Sequence, residues 1–216
     1  MSDMSTNPGG AVTDTEPGER SAAAPRGRRH AQLALGLTLF GVSMALMVVA
    51  SLGVASWDVL HQGLSRSTGV SFGLVVNGVG VLVLLAWIPL KVRPGIGTVA
   101  NILVVGLVAD ATLSLLPESF DGLAVRIALL VAGLVLNAVA TGLYVGAGLG
   151  PGPRDGLMTG LARRGISIRV ARTGIEVTVL VAGWLLGGTV GVGTVLFAAA
   201  IGPLTQPALK RFTLAP

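Results

Sequence analysis

Apolar and polar positions in this chain fall into long blocks instead of alternating. Between Ala31 and Trp57 there are 27 residues without an acid, lysine or arginine. A helix needs about 20 mostly apolar residues to cross a bilayer core. Runs of that kind lie at about 33–52, 70–90, 97–116, 123–147, 168–186 and 192–209. Lys91-Val92-Arg93-Pro94-Gly95 and the stretch Pro117 to Gly122 break the pattern sharply, and the chargeless, glycine-rich stretch Gly187 to Gly191 breaks it more weakly. Two short amphipathic stretches, Ser56 to Arg66 and Pro153 to Arg164, are neither long nor apolar enough to cross. Residues 1–30 are polar and rich in Pro, Gly and Ser, and read as a disordered cytoplasmic tail. The apolar run after them is longer than a signal-peptide core, so it is expected to be retained as the first span. The expectation is an all-α membrane protein with six transmembrane helices.

Composition narrows the function. The chain has 216 residues, 52% hydrophobic and 12% charged, against roughly 25% charged in a soluble domain. Its mean hydropathy is +0.80, which excludes a water-soluble enzyme. Without cysteine there are no disulfides, thiolate metal sites or cysteine nucleophiles, and the two histidines, His30 and His61, are too distant for a metal cluster. Arg154-Asp155-Gly156 resembles the start of a phosphoalcohol-transferase metal motif only superficially, because no aspartate follows Asp155. Gly148 to Gly152 has no strand before it and two prolines nearby, which excludes a dinucleotide fingerprint. Neither catalysis nor a cofactor is expected.

The net charge of +5 and pI near 11 do not point to nucleic acid, because the bases flank the apolar runs. With six spans and the amino end inside, twelve of the 15 bases fall on one side: Arg20, Arg26, Arg28, Arg29, Lys91, Arg93, Arg154, Arg163, Arg164, Arg169, Lys210 and Arg211. Glu118 and Asp121 fall on the other. By the positive-inside rule both termini are expected to be cytoplasmic. The expected partners are the lipid bilayer and a small-molecule or ion substrate. Homo-oligomerisation is left open.

The chain also repeats itself. Residues 50–66 align with 147–163 at an offset of 97, matching Leu52, Gly53, Asp58, Leu60, Gly63, Leu64 and Arg66 to Leu149, Gly150, Asp155, Leu157, Gly160, Leu161 and Arg163. After a one-residue gap, Gly95-Ile96-Gly97-Thr98-Val99 matches Gly191-Val192-Gly193-Thr194-Val195. The copies are 31–120 and 121–216. Three spans per copy is an odd number, so the second copy enters the membrane from the opposite side. The fold expected is two inverted three-helix repeats, each with a short amphipathic or re-entrant segment. Secondary transporters often have this design, with sites at the repeat interface. The runner-up is a non-transporting accessory or scaffold protein that supports another membrane or biosynthetic system. A cavity reaching Asp110 or Glu176 favours transport, and a dry glycine-packed core favours the scaffold.

The stretches LGVASWDVLHQGLSRSTGVSFG, GPGPRDGLMTGLARRGIS and GGTVGVGTVLFAAAIGP resemble bacterial YczE-type membrane proteins, associated with the YitT-like group. The resemblance covers about residues 33–209 and is most specific at Trp57-Asp58-Val59-Leu60 and Pro153-Arg154-Asp155-Gly156-Leu157. It implies an integral plasma-membrane protein of poorly defined biochemical role. Ala55-Ser56 stands where the family often has a proline.

Eleven residues are candidates for a substrate or ion pathway: Asp58, Asp155, Asp110, Arg172, Glu176, Trp57, His61, Arg154, Asn77, Asn101 and Asn137. Asp58 and Asp155 are repeat equivalents at helix starts, where an acid serves as a cap or dipole partner or as a cation or proton ligand. Arg172 and Glu176 share a helical face and form either an ion pair or part of a hydrated path. Asp110 has no base on its own helix, and the amides are suited to interhelical hydrogen bonds. His61, one turn from Asp58 on a segment expected outside, is either solvated or a group titrating near neutrality.

Overall fold

A computed structural model describes residues 25–214, and these residues are helical with short connections. The helices are α1 (Arg26–Ala50), α2 (Ser56–Thr68), α3 (Phe72–Leu85), α4 (Trp87–Leu90), α5 (Ile96–Leu115), α6 (Leu123–Gly146), α7 (Pro153–Ala162), α8 (Ile168–Leu185) and α9 (Val192–Phe212). Local chemistry fixes their ends. α5 stops at Leu116, in extended geometry before Pro117, and α7 starts with Pro153 as its first helical residue, where the missing N–H costs nothing. α4 continues α3 after an interruption at Ala86, and Pro89 lies within it. The expected tail ends early: residues 1–24 lie outside the described residues, but Arg26 to His30 already form the first turn of α1, with His30 Nδ1 2.7 Å from the carbonyl of Arg26.

Among the described residues, five helices are long and apolar enough to cross a membrane: α1, Phe72–Leu90, α5, α6 and α9. The expected fifth crossing, α8, falls outside this set because its 18 residues include Arg169, Arg172 and Glu176. At 1.5 Å per residue, α2 (13 residues) and α7 (10 residues) are far shorter than a hydrocarbon core of about 30 Å. Apolar side chains such as Leu82, Ile88, Leu107, Leu115 and Val192 point outward, as they would towards lipid.

The centre of the bundle is the crossing of α1 and α6. Gly36 faces Tyr144, Ser43 faces Asn137 and Met47 faces Gly133, so one sequence rises as the other falls and the helices are antiparallel. The crossing is also reciprocal. Gly36 and Gly133 are 97 residues apart, as are Met47 and Tyr144, so each glycine meets the counterpart of the side chain its twin meets. A Cβ on Gly36 would sit 2.6 Å from the Tyr144 backbone nitrogen, and one on Gly133 2.7 Å from Met47 Cγ. α5 packs on the other side of α1, and α9 packs on α6.

The short helices dock chiefly on the opposite half of the chain, and each also touches the helix that follows it. α2 packs on α8, and α7 packs against α3, α4 and α8. Arg66 donates to the Gly187 carbonyl at the end of α8, and Arg164 donates to the Pro89 carbonyl at the end of α4. The loops cross over in the same reciprocal way. Gly97 N donates to Leu149 O and Gly193 N to Leu52 O, both at 2.8 Å. Gly53 and Gly150, which sit at φ +109° and +127°, let these backbones touch.

Alanine at Gly36 or Gly133 must push two helices apart. Each substitution is expected to destabilise by about 1–3 kcal/mol. Gly78 and Gly174 have open space where a Cβ would go, so alanine there leaves stability unchanged or raises it by up to about 1 kcal/mol. Thermal unfolding in lipid nanodiscs distinguishes the two classes, and equal losses at all four sites would refute the close crossing.

Candidate functional site: a polar cavity at the ends of two short helices

The amino ends of α2 and α7 meet inside the bundle and, with α1, α3, α5, α6, α8 and α9, enclose a cavity of about 510 Å³. Eight of the candidate residues from the sequence, Trp57, Asp58, His61, Asn101, Asn137, Arg154, Asp155 and Glu176, line it, and Arg172 completes the rim beside Glu176. The polar faces of the short helices therefore point inward. That corrects the placement expected for His61, which is 1% exposed instead of solvated outside.

Asp58 and Asp155 are both third residues of their helices. The N-cap positions belong to Ala55 and Gly152, and neither acid makes a capping hydrogen bond. What remains of the structural reading is the favourable field of a helix start acting on a first-turn acid. Asp58 is 4% exposed. Its Oδ1 lies 3.3 Å from His61 Nδ1 and 3.5 Å from an Arg154 nitrogen, and neither approach is aligned as a hydrogen bond. The Arg154 guanidinium also lies over the Trp57 ring, 4.9 Å from its centroid. Trp57 and Arg154 are repeat equivalents, 97 residues apart, so one symmetric position holds an aromatic ring in one copy and a cation in the other.

Asp155, the repeat equivalent of Asp58, also lines the cavity. Its carboxyl is open to the cavity and accepts a 3.3 Å hydrogen bond from Tyr144 Oη. Enclosure by protein raises its pKa, against the pull of Arg154, Tyr144 and Arg172. Burial lowers the pKa of His61, with the contact to Asp58 acting in the opposite direction. At the rim, Arg172 Nε donates to Glu176 Oε1 at 3.0 Å, so this pair closes on itself.

Two candidates lie outside the cavity. Asp110 accepts hydrogen bonds from Ser71 Oγ and the Gly73 N–H, both at 2.6 Å, and so holds the start of α3 against α5. Asn77 spans the same seam, its amide 3.4 Å from the Leu103 carbonyl. Asn137 donates to Ser43 Oγ at 2.9 Å across the α1–α6 crossing. The sequence reading missed Tyr144 and Phe40, whose rings meet edge to face at 5.8 Å on the cavity wall. The signal was available: Tyr144 is the only tyrosine, and a buried phenol needs a partner.

Residues 27–209 match a family described as a family of unknown function, DUF6198. The chain belongs to that family. It is similar to an uncharacterized protein of Haemophilus influenzae, 40% identical over 175 residues, which is 81% of this chain and 80% of that protein. It is also similar to the uncharacterized membrane protein YczE of Bacillus subtilis, 34% identical over 177 residues and 80% of each chain. No solved structure matches. With five membrane-length apolar helices and this relative, the chain is a membrane protein of the YczE family.

Asp58 and Arg154 join the two halves of the cavity, so removing either loses the same contact. Arg154 is 29% exposed, which weakens the pair through solvent screening. Asp58→Asn and Arg154→Gln should each destabilise, and the double variant should cost no more than the worse single one, a coupling of about 1 kcal/mol. Additive losses in a double-mutant thermal-unfolding cycle would show that the pair contributes nothing.

Proposed function

We propose that this YczE-family membrane protein is a secondary transporter of a small solute. In this reading α8 is the sixth crossing, both termini are cytoplasmic, and two inverted three-span repeats rock against each other around the cavity. The antiparallel α1–α6 crossing and its reciprocal contacts support the inversion. At 18 residues α8 is about 27 Å long, enough to cross nearly all of a bilayer core. Its charges sit in the half that borders the cavity.

The observation carrying this reading is a difference between two seams that the repeat makes equivalent. The α3–α5 seam is shut: Gly73 and Gly106 bring their backbones into contact, and Asp110 and Asn77 bond across it. Ninety-six residues on, the α8–α9 seam offers Arg169, Gly202, Gln206 and Thr173 at those positions. There α8 does not pack along α9, and a Cβ on Gly202 would meet nothing within 4 Å. One copy is closed where the other is open. Exchanging the two arrangements would close α8 on α9 and open α3 from α5, which is alternating access by the symmetry of the fold. With cytoplasmic termini, the open seam faces the cytoplasm. The cavity reaches Glu176, which favours transport over the scaffold alternative.

The chain has no cysteine, so engineered pairs report the seams cleanly. A Cβ on Gly80 would lie 3.7 Å from that of Ile102, inside the range for a disulfide. Gly80→Cys with Ile102→Cys should cross-link readily in the state described, while the equivalent Glu176→Cys with Ala198→Cys should not. During turnover in membranes both pairs should cross-link, and either bond should stop solute flux until it is reduced. If the second pair never forms under any condition, the two-state reading fails. Labelling of Ser67→Cys from outside the cell and Arg163→Cys from inside checks the inversion, and labelling of both from one side would refute it.

A further inference from the structure

We propose that the solute is a small organic monocation with an ammonium or guanidinium head, bound against Trp57 and Asp58 in the seat that the side chain of Arg154 occupies here. The inference rests on the transport reading above and adds the chemical class of what is carried.

The charge on the wall is the first argument. Arg172 and Glu176 satisfy each other at the rim. Inside it stand two carboxylates, Asp58 and Asp155, against the one further guanidinium of Arg154, with His61 sealed from water beside Asp58. The cavity is one positive charge short. Helix amino ends usually favour anions, but here each already has its own carboxylate in the first turn, so an incoming anion would meet a negative wall.

The second argument is an acceptor met only by poorly aligned neighbours, His61 at 3.3 Å and Arg154 at 3.5 Å. Asp58 is 4% exposed, yet its Oδ1 has no aligned hydrogen bond, and His61 Nδ1 beside it has none either. Buried polar atoms are nearly always bonded, and leaving one unmet is costly. A cationic head placed over the cavity mouth of Asp58 would donate to that oxygen.

Trp57 supplies the third. Its ring already holds a guanidinium at cation–π distance. That guanidinium belongs to the residue equivalent to Trp57 in the other copy, and its side chain is partly exposed, unlike the acid it faces. Asp155 is the next residue along, and it too is open to the cavity. Arg154 therefore has a second counter-ion to move to when a solute cation takes its place on the ring, and the total charge then balances. Arg154 acts as a resident stand-in for the solute, and the remaining wall, including Phe40, Val79 and Ile102, suits a small apolar body.

The test uses the purified full chain in lipid nanodiscs with methylammonium and methylguanidinium as probes. Uncharged neopentyl alcohol and the anions acetate and phosphate are the comparisons. The two cations should raise the unfolding temperature saturably, and the comparisons should not. Trp57→Leu and Asp58→Asn should weaken cation binding about 10-fold or more. Arg154→Gln should tighten it by about 10-fold, because a competitor that fills the seat most of the time is gone. A purely structural Arg154 would instead weaken binding when removed. The proposal is overturned if Arg154→Gln binds the cations less well, if the anions stabilise in their place, or if no cation shifts the folded wild-type protein. Running the Gly80–Ile102 and Glu176–Ala198 cysteine pairs with each probe separates the two ideas. Cation binding that never redistributes the cross-links leaves the ligand class standing and removes transport. Redistribution driven only by an anion does the reverse.

Discussion

The amino ends of α2 and α7 set the terms for the rest of the molecule. A helix leaves its first four N–H groups without intrahelical partners, and hydrocarbon provides none, at a cost of several kcal/mol per group. Both helices begin among buried residues, Val54 and Ala55 on one side and Gly152 and Pro153 on the other, and both are too short to carry those ends back to an interface. Such ends are tolerated only beside protein groups or a water-filled space. The polar cavity at their junction meets that need. The two acids follow from it, since a carboxylate in each first turn meets the positive end of the helix that carries it.

Symmetry explains where the helices are, and departures from it explain the chemistry. The reciprocal contacts of Gly36 and Gly133 and of Gly97 and Gly193 are backbone contacts that any duplicated scaffold would keep. The cavity departs from this rule. Equivalent positions hold Trp57 and Arg154, His61 and Met158, Met47 and Tyr144. A strictly symmetric pair of arginines or tryptophans would repel or crowd at the junction, while one of each forms a stacked pair. The same substitutions give Asp58 an arginine and Asp155 a tyrosine, so two identical acids acquire different surroundings.

Much of the fold was legible because hydrophobic block length and the offset of 97 are properties of single segments and of pairs of segments. Five of the six expected crossings, the two short helices and the equivalence of Asp58 and Asp155 all followed from them. Segment patterns do not reveal which neighbour a helix chooses. A polar face on α2 suits water at a membrane surface as well as a polar cavity inside the bundle, so His61 was placed outside. Asp110 shows the same limit: an acid without a base on its own helix has no partner in sequence, yet Ser71 and the Gly73 amide lie on the helix that folds back against it. The burial of α2 against α8 is a contact between residues more than 100 positions apart, which no local pattern encodes.

The two seams also bear on whether the cavity could be a static by-product of the short helices. A scaffold needs its helices joined, and the cheapest join in a bilayer is the close glycine contact seen between α3 and α5. The repeat alignment sets Gly202 at the position of Gly106, a glycine that would admit the same close approach between α8 and α9. Yet the partner position to Gly73 is Arg169, and Arg172 and Glu176 occupy the face that would have to meet α9. Charged residues along a seam disfavour its permanent closure in hydrocarbon and tolerate an open, hydrated one. The pairing of Arg172 with Glu176 keeps the cost of intermittent closure low, because the charges neutralise each other before they are covered. A helix meant only to fill space would have kept apolar residues there, as α3 does with Val76 and Gly80.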